Sequence, residues 1–456
     1  MGLFSLRDNL SSLFVRPERN HFRTLDGLRA VSILWVMAFH CVFFVTYTNL
    51  DLAIALRSAP LLAWTKYGFR GVDIFFVISG FIISHILMRE HKATGRLDLK
   101  NFYLRRAIRL FPAYYVALVL YGVLDPLPLK NVWANLLYVN NFLPIEQQFM
   151  GWAWSLAIEE QFYIVFPVAL LLLMKLGDRA RLPLLVAATL TAAAGFVLLL
   201  RASACPSPPP FQELAPGPFL CYFDTLYDKF YTRCGALLMG VTVAYLYNYT
   251  PAVAWLDARA LVRRVLFAVA CLLLVPATGF VETSSGVFSS FFAINYFYLF
   301  ALGIAYLLLF TLTGSGQQSL LGRVLSSRIW FPLAQLSYSA YLVHPTVLIA
   351  VYLFVLKPTA VSPPLALVAG LGLAVLCFGV AAVIYLLVEG LDLRTWWRTR
   401  RYEAYVREVD EERIGVPGAE PSGREREPAR PMHETWSDEG FESVVERWER
   451  MVERDE

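Results

Sequence analysis

The sequence has little charge for its 456 residues, and this low charge already excludes most classes of soluble protein. Charged residues make up 17% of the chain and hydrophobic residues 57%, whereas an ordinary soluble domain is about a quarter charged. The mean hydropathy is +0.52. The net charge is only +4, and no strongly basic face interleaved with aromatic residues is present, so we expect no nucleic-acid partner.

Cysteine is also scarce. None of the six cysteines forms a CxxC pair or the Cys/His spacing of a metal site, so no metal is predicted. Cys205 and Cys221 share a polar, proline-rich loop, where they form either a disulfide in an oxidising compartment or two unpaired thiols. The first 16 residues lack the basic start and apolar core of a cleavable signal peptide. Their spaced apolar residues predict a short helix on the inner membrane surface.

Long apolar runs dominate the rest of the chain. A membrane-spanning helix needs about 20 mainly apolar residues, and the shorter apolar segment 133–142 is therefore interpreted as interfacial or re-entrant. The sequence predicts an all-α, polytopic integral membrane helical bundle of about ten transmembrane helices. They are expected near 28–49, 68–88, 102–124, 154–175, 182–201, 229–248, 261–280, 288–312, 330–356 and 364–389.

The Lys and Arg residues concentrate in alternate short loops, which predicts that the N-terminus and the C-terminus are both cytosolic. Three regions follow: a cytosolic N-terminal segment (1–24), a membrane domain (25–390) and a charged cytosolic tail (391–456). Within the tail, 434–453 is predicted to form an amphipathic helix that offers a surface for a protein partner. The alternative is an unstructured solubilising tail.

Ionisable residues inside the predicted spans are the first candidates for function, because a charge at mid-helix costs on the order of 3 kcal/mol on insertion scales. In the first span, Arg29 and His40 are eleven residues apart and therefore share a helix face. Since imidazole takes up and releases protons near neutral pH, His40 is a candidate general base. The alternative is a hydrogen-bonded packing group.

Three carboxylates in the second and fourth spans are candidate partners for that histidine. Asp73 lies at about the expected depth of His40 and would fix its tautomer, as in a catalytic triad; the alternative is an ion pair with Arg70. Glu159 and Glu160 point about 100° apart, so one of them is expected to face His40.

Aromatic residues precede this carboxylate pair. Trp152 and Trp154 either belong to an aromatic belt at the membrane surface or stack on a sugar ring.

Two further clusters complete the set. Arg105, Arg106 and Arg109 line the inner end of the third span, where guanidinium groups suit phosphate recognition or snorkel to lipid headgroups. In the ninth span Tyr341 and His344 share a face. Pro345 removes the backbone hydrogen bond to the Tyr341 carbonyl, so His344 is either a second proton carrier or a structural group bonded to that carbonyl.

Together these segments resemble the membrane O-acyltransferase family 3, over roughly residues 22–390. The resemblance rests on five motifs in the family's order. They are Asp26-Gly-Leu-Arg29-Ala followed by His40, Asp73-Ile-Phe-Phe-Val-Ile-Ser-Gly-Phe, Arg106-Ala-Ile-Arg109, Trp154-Ser-Leu-Ala-Ile-Glu-Glu160-Gln-Phe-Tyr and Leu336-Ser-Tyr-Ser-Ala-Tyr-Leu-Val-His344-Pro.

The resemblance implies a bacterial inner-membrane (plasma-membrane) enzyme of the cell envelope. It would transfer an acyl group, acetyl above all, from cytosolic acyl-CoA to a hydroxyl of a carbohydrate or glycoconjugate. Arg29, Arg105, Arg106 and Arg109 would bind coenzyme A phosphates, and His40, oriented by Asp73 or Glu160, would act as the base. The acceptor would contact Trp152, Trp154, Glu159, Tyr341 and His344. The alternative is a proton-coupled secondary transporter that uses the same buried His, Asp and Glu groups.

Overall fold

The computed structural model describes residues 6–16, 22–48, 60–124, 131–202, 220–275, 287–354 and 363–389. These ranges are helical and contain no β-strand. The 3₁₀-helical segment Pro60–Arg70 leads directly into α3, and π-helical turns occur at Phe223–Tyr227 and Tyr385–Glu389. The α-helices are α1 (Leu6–Phe14), α2 (Arg23–Thr48), α3 (Gly71–Thr94), α4 (Leu99–Leu124), α5 (Val132–Leu136), α6 (Trp154–Met174), α7 (Asp178–Ala202), α8 (Phe230–Tyr249), α9 (Ala252–Ala258), α10 (Ala260–Leu274), α11 (Val287–Thr311), α12 (Gly314–Gln318), α13 (Leu320–Leu325), α14 (Trp330–Phe354) and α15 (Pro363–Ile384).

A helix lies at each of the ten predicted spans, namely α2, α3, α4, α6, α7, α8, α10, α11, α14 and α15. Among the described residues, six helices are long and apolar enough to cross a membrane, and Phe297–Thr311 is a shorter apolar helix. The helical membrane-protein class is therefore confirmed, while the count of ten crossings and the cytosolic termini stay predictions. The segment 133–142 forms α5 and a 3₁₀ turn, each too short to cross a membrane, and its interfacial or re-entrant position stays a prediction.

Glycine allows the helices of the core to approach closely. A Cβ at Gly80 of α3 would lie 2.1 Å from the Leu237 carbonyl oxygen of α8, and a Cβ at Gly240 of α8 would lie 2.1 Å from the Val77 carbonyl oxygen. The two backbones are thus in mutual contact, as in the small-residue interfaces of membrane helices. A Cβ at Gly71 would lie 2.5 Å from the Ser32 carbonyl oxygen of α2, so α2 is held against α3 in the same way.

The first helix forms as predicted from its spaced apolar residues, with Leu13 buried, although its position on a membrane stays a prediction. It is followed by Arg16, whose Nε lies 3.0 Å from Asp26 Oδ2 at the start of α2. The Arg16 guanidinium also donates to the carbonyl oxygens of Ser326 and Ser327 at 2.9 and 3.0 Å. The contacts of Arg16 therefore link the start of α2 to the segment that precedes α14.

Two predictions concern residues outside the described ranges. The charged tail, including its predicted helix at 434–453, lies beyond the described residues. Cys221 is disulfide-bonded, and Cys205, its predicted partner, also lies outside them.

Candidate active site

Two histidines from distant helices meet inside the bundle. His344 Nε2 of α14 lies 3.2 Å from His40 Nδ1 of α2, and the two rings meet edge to face at 4.8 Å between centroids. His344 is fully buried and His40 is partly buried. The structure therefore brings together two residues that lie 304 positions apart in the sequence.

Backbone carbonyls determine which nitrogen of each ring carries a proton. His344 Nδ1 lies 2.8 Å from the Tyr341 carbonyl oxygen and 3.1 Å from that of Ala340. Since carbonyl oxygens only accept, Nδ1 of His344 must be protonated, and its Nε2 carries a lone pair in the neutral ring. His40 Nδ1 lies 2.9 Å from the Val36 carbonyl oxygen and is protonated for the same reason. His40 therefore donates from Nδ1 and keeps its own lone pair on Nε2, which is the state required of a base.

The Tyr341 carbonyl is the group that Pro345 deprives of its helical donor, because proline has no N–H to offer to the residue four positions earlier. His344 donates to this carbonyl, as the structural alternative in the sequence predicts. The same bond orients the His344 ring so that Nε2 lies toward His40. One ring orientation therefore satisfies both the carbonyl within α14 and the contact with His40.

Asp73 does not contact His40 in the structure. Its Oδ1 accepts a hydrogen bond from Arg233 Nη2 of α8 at 2.7 Å, and both side chains are buried, at 1% and 3% exposure. The Arg233 guanidinium also lies over the ring of Phe297, 4.2 Å from its centroid. Asp73 thus joins α3 to α8 through Arg233 and also interacts electrostatically with Arg70, the alternative partner given by the sequence. The described contacts include no hydrogen bond between Asp73 and His40.

Glu159 and Glu160 lie with arginines instead of beside His40. Tyr163 donates from its hydroxyl to Glu159 Oε2 at 3.1 Å, and the Arg106 guanidinium stacks over the Tyr163 ring at 4.9 Å. Arg29 and Arg106 interact electrostatically with Glu159, and Arg106 also interacts with Glu160. The hydrogen-bond contacts described for His40 come from Val36 and His344, so the orienting role that the sequence assigned to Asp73 or Glu160 has no hydrogen bond to support it.

Arg29 and Arg106 interact with this carboxylate pair, and Arg109 interacts with Arg106. Together with Arg105 on the same part of α4, they are called the cationic cluster. Arg105 and Arg109 are exposed, whereas Arg29 and Arg106 are partly buried. The guanidinium groups of this cluster outnumber its two carboxylates. A site with this excess suits a polyanion such as a phosphate ester.

The two tryptophans differ in their surroundings. Trp154 is 4% exposed and packs against Tyr227 at 4.8 Å between ring centroids, so little of its ring is open to a sugar. Trp152 is partly buried and donates from Nε1 to the Leu342 carbonyl oxygen at 3.1 Å. Tyr341 donates from its hydroxyl to the Trp152 carbonyl oxygen at 3.1 Å. Trp152 is thereby fixed against α14 within two residues of His344.

A polar network next to the site was missed by the sequence reasoning. Gln148 donates from Nε2 to Asp228 Oδ2 at 2.9 Å, and Lys229 Nζ lies 2.8 Å from Asp228 Oδ1 and donates to the Asn141 carbonyl oxygen. Asp224 Oδ1 accepts from the backbone N–H of Ile145 at 2.7 Å. Burial raises the pKa of Asp228 to about 6, against the lowering effect of Lys229.

This network joins the segment 131–153 to the segment 220–229. Its sequence signal was the run of Asn and Gln between two apolar spans, since amides buried near a membrane require hydrogen-bond partners. The sequence reasoning also missed Arg233, which had a similar signal. It is a single cation inside an apolar helix, where a charged side chain requires a partner.

Comparisons with known proteins show which family the sequence resembles. A family model described as an acyltransferase domain matches residues 22–384. The peptidoglycan O-acetyltransferase OatA of Listeria monocytogenes is 36% identical over 179 residues, with a coverage of 35% of this chain and 26% of that protein. The nose resistant to fluoxetine protein 6 of Caenorhabditis elegans is 24% identical over 398 residues, with a coverage of 76% of this chain and 47% of that protein.

The first of these matches spans only about a quarter of the length of the bacterial relative. No solved structure matches the chain. The family model, in contrast, covers most of the sequence and includes the first motif with His40 and the last with His344. The chain therefore belongs to the acyltransferase 3 family.

Proposed function

We propose that the chain transfers an acyl group, acetyl in the simplest case, from cytosolic acyl-CoA to a hydroxyl of a carbohydrate or glycoconjugate. The observation that carries the proposal is the His40–His344 contact, which leaves a lone pair on His40 Nε2 in the interior of a helical bundle. Membership of the acyltransferase family and similarity to an O-acetyltransferase support acyl transfer to oxygen.

The cationic cluster supports a phosphate-bearing donor. Arg105, Arg106 and Arg109 lie in the first half of α4, with Arg29 close enough to interact with the same carboxylate. Planar guanidinium groups bind phosphate oxygens in pairs, and coenzyme A carries a diphosphate and a 3′-phosphate. No metal is needed in this scheme.

The proposed chemistry is a direct displacement. His40 Nε2 removes the proton of the acceptor hydroxyl while the hydroxyl oxygen attacks the thioester carbonyl carbon. The carbon–sulfur bond then breaks, coenzyme A leaves as the thiolate, and the proton held by His40 passes to that sulfur. The imidazolium formed in between is stabilised on its Nδ1 side by the Val36 carbonyl and the lone pair of His344.

The location and the partners are part of the same proposal. A cytosolic donor and an envelope glycan acceptor place the enzyme in the cell membrane of a bacterium, with the acceptor entering from the side opposite the arginine cluster. The charged tail would offer a surface for a protein partner.

The decisive experiment measures thiol release from acetyl-CoA by the purified full-length protein, with a panel of methyl glycosides as acceptors. Wild type is compared with His40→Ala and with the control His91→Ala, which removes a histidine that contacts Tyr249. We expect acceptor-dependent release to fall about 10²- to 10⁴-fold in His40→Ala, the range typical of general base catalysis, and to persist in the control. Absence of release from every acyl-CoA, together with absence of coenzyme A binding, would refute the proposal and favour a transporter.

A further inference from the structure

An apolar crevice opens between three helices beside the histidine pair. Its volume is ≈ 360 Å³, and α4, α14 and α15 supply its walls. The lining residues, apart from one threonine, have purely aliphatic side chains: Leu120, Val123, Leu124, Val343, Val347, Ala350, Val351, Leu376 and Val380. A cleft with this lining suits a hydrocarbon chain and offers a charged headgroup nothing to bind.

The crevice begins next to His344, the residue that contacts the proposed base His40. Val343 precedes His344 in the chain, and Val347 and Val351 follow it by three and seven residues, so they continue the stripe of α14 on which His344 lies. On the opposite wall, Leu376 flanks Cys377, whose Sγ lies 4.0 Å from the His344 carbonyl oxygen. A chain in the crevice would therefore have one end close to the His40–His344 pair.

The polar exception is Thr346, which is 6% exposed and whose hydroxyl has no hydrogen-bond partner. A threonine within a helix usually bonds to the carbonyl four residues earlier. That carbonyl belongs to Leu342 and accepts the indole N–H of Trp152. The Thr346 hydroxyl is thus left as an unsatisfied polar group in an otherwise apolar wall, a feature that calls for an explanation in a folded protein.

The location of the crevice along α4 indicates which of the two substrates enters it. Leu120 and Leu124 follow Arg106 by 14 and 18 residues, a separation of roughly 21–27 Å along a helix. The crevice and the cationic cluster therefore lie toward opposite ends of α4. An acyl-CoA held by its phosphates at the arginines approaches the histidines from that end, and the acetyl group of the proposed donor is too short to extend into the crevice. A hydrocarbon chain in the crevice therefore belongs to the acceptor.

From this geometry we infer that the acceptor is a lipid-linked glycan and that its hydrocarbon chain occupies the α4–α14–α15 crevice. The inference rests on the proposed function for the identity of the acceptor, although occupation of the crevice can be tested alone. The chain anchors the acceptor in the plane of the membrane with its sugar hydroxyl beside His40. The Thr346 hydroxyl then donates to an oxygen at the head of the chain.

The first test is binding, which needs no catalysis. A dodecyl glycoside with a diazirine near the middle of its chain is photolysed with the full-length protein, and the labelled peptides are mapped. We expect labelling of α14 and α15, reduced at least fivefold in Ala350→Trp, whose indole would fill the crevice. The control Val375→Trp places the same bulk on an α15 residue that is 73% exposed and does not line the crevice. Equal labelling of both variants would mean a nonspecific lipid coat and would overturn the inference.

The second test is kinetic and compares the methyl and dodecyl glycosides of one sugar as acceptors. We expect the wild-type KM to be at least tenfold lower for the dodecyl compound, and Ala350→Trp to abolish that difference while the methyl glycoside reacts as in wild type. Thr346→Val, which keeps the shape and removes the hydroxyl, should raise KM several-fold for the dodecyl compound alone. A chain preference that survives Ala350→Trp would overturn the inference, whereas inactivity toward both acceptors in wild type would count against the proposed function instead.

Discussion

The contact between His344 and His40 leads to a quantitative prediction for the variant His344→Ala. The change removes the lone pair that faces His40 Nδ1 at 3.2 Å but leaves the Val36 carbonyl at 2.9 Å. The His40 tautomer is therefore retained, and the variant loses only one hydrogen bond to the imidazolium. Hydrogen bonds to charged groups contribute about 1.5–3 kcal/mol, and each 1.4 kcal/mol is about tenfold. We expect kcat to fall about 10- to 150-fold, far less than the roughly 10⁴-fold cost of a wrong tautomer in a catalytic triad.

The assay is steady-state acyl transfer at saturating acetyl-CoA, with kcat and KM separated for each variant. His344→Asn serves as the matched variant, because its amide can still donate to the Tyr341 carbonyl but is too short to reach His40. It should keep a thermal midpoint near wild type and lose as much kcat as His344→Ala. Wild-type kcat in His344→Asn would refute the reasoning.

A double-mutant cycle extends the same argument. If His344 acts only through His40, the double variant His40→Ala/His344→Ala should be no slower than His40→Ala alone. Independent losses that multiply would show that His344 acts on the substrate directly, as the sequence-based hypothesis of a second proton carrier proposed.

Three further predictions concern the donor site, the packing and a loop charge. Arg106→Lys removes the planar guanidinium group, which can bind two phosphate oxygens and stacks on an aromatic ring, so KM for acetyl-CoA should rise about tenfold. The control Arg259→Lys changes an exposed arginine that also stacks on an aromatic ring, and it should leave this KM unchanged. Gly80→Ala should lower stability by about 1–3 kcal/mol through overpacking, and Gly372→Ala, where a Cβ meets open space, should be neutral in the same thermal unfolding assay. Hydrogen bonds to its carboxylate lower the pKa of Asp257, so Asp257→Asn should reduce the thermal midpoint at pH 7. This deficit should vanish as the pH falls through the lowered pKa, because the stabilisation exists only while the carboxylate is ionised; a deficit independent of pH would contradict it.

Features that depend on one helix at a time were predicted well. The apolar runs located a helix at each proposed span, because the length and the hydropathy of a span are local properties. The hydrogen bond from His344 to the Tyr341 carbonyl also followed from a local rule, because a proline has no backbone N–H to donate to the carbonyl four residues earlier.

Pairings between helices could not be predicted in the same way. Depth in the membrane placed Asp73 near His40, yet depth says nothing about the direction in which a side chain points, and Asp73 faces Arg233. Glu160 lies near Arg106 because α4 and α6 are aligned so that Tyr103 donates to the Ile164 carbonyl. This alignment depends on how the bundle packs as a whole and has no signature in either segment alone.

The aromatic residues show a related limit. Trp152 and Trp154 are two positions apart and equally apolar, yet one is partly exposed and the other is enclosed by α3, α8 and the segment before α8. Hydropathy treats the two identically, and only the packed bundle distinguishes them.

The ion pair between Asp73 and Arg233 also has a consequence for how the protein is made. The two residues are 160 positions apart, and at about 5–20 residues per second a ribosome needs roughly 8–32 s to pass from one to the other. Throughout that interval α3 has been synthesised with a carboxylate whose final partner does not yet exist, with Arg70 as the nearest cation in the chain. Because α3 and α8 pack against each other at Gly80 and Gly240, α3 cannot reach its final packing until α8 has been synthesised. A nascent chain that ends before Arg233 should therefore be a substrate for membrane quality control.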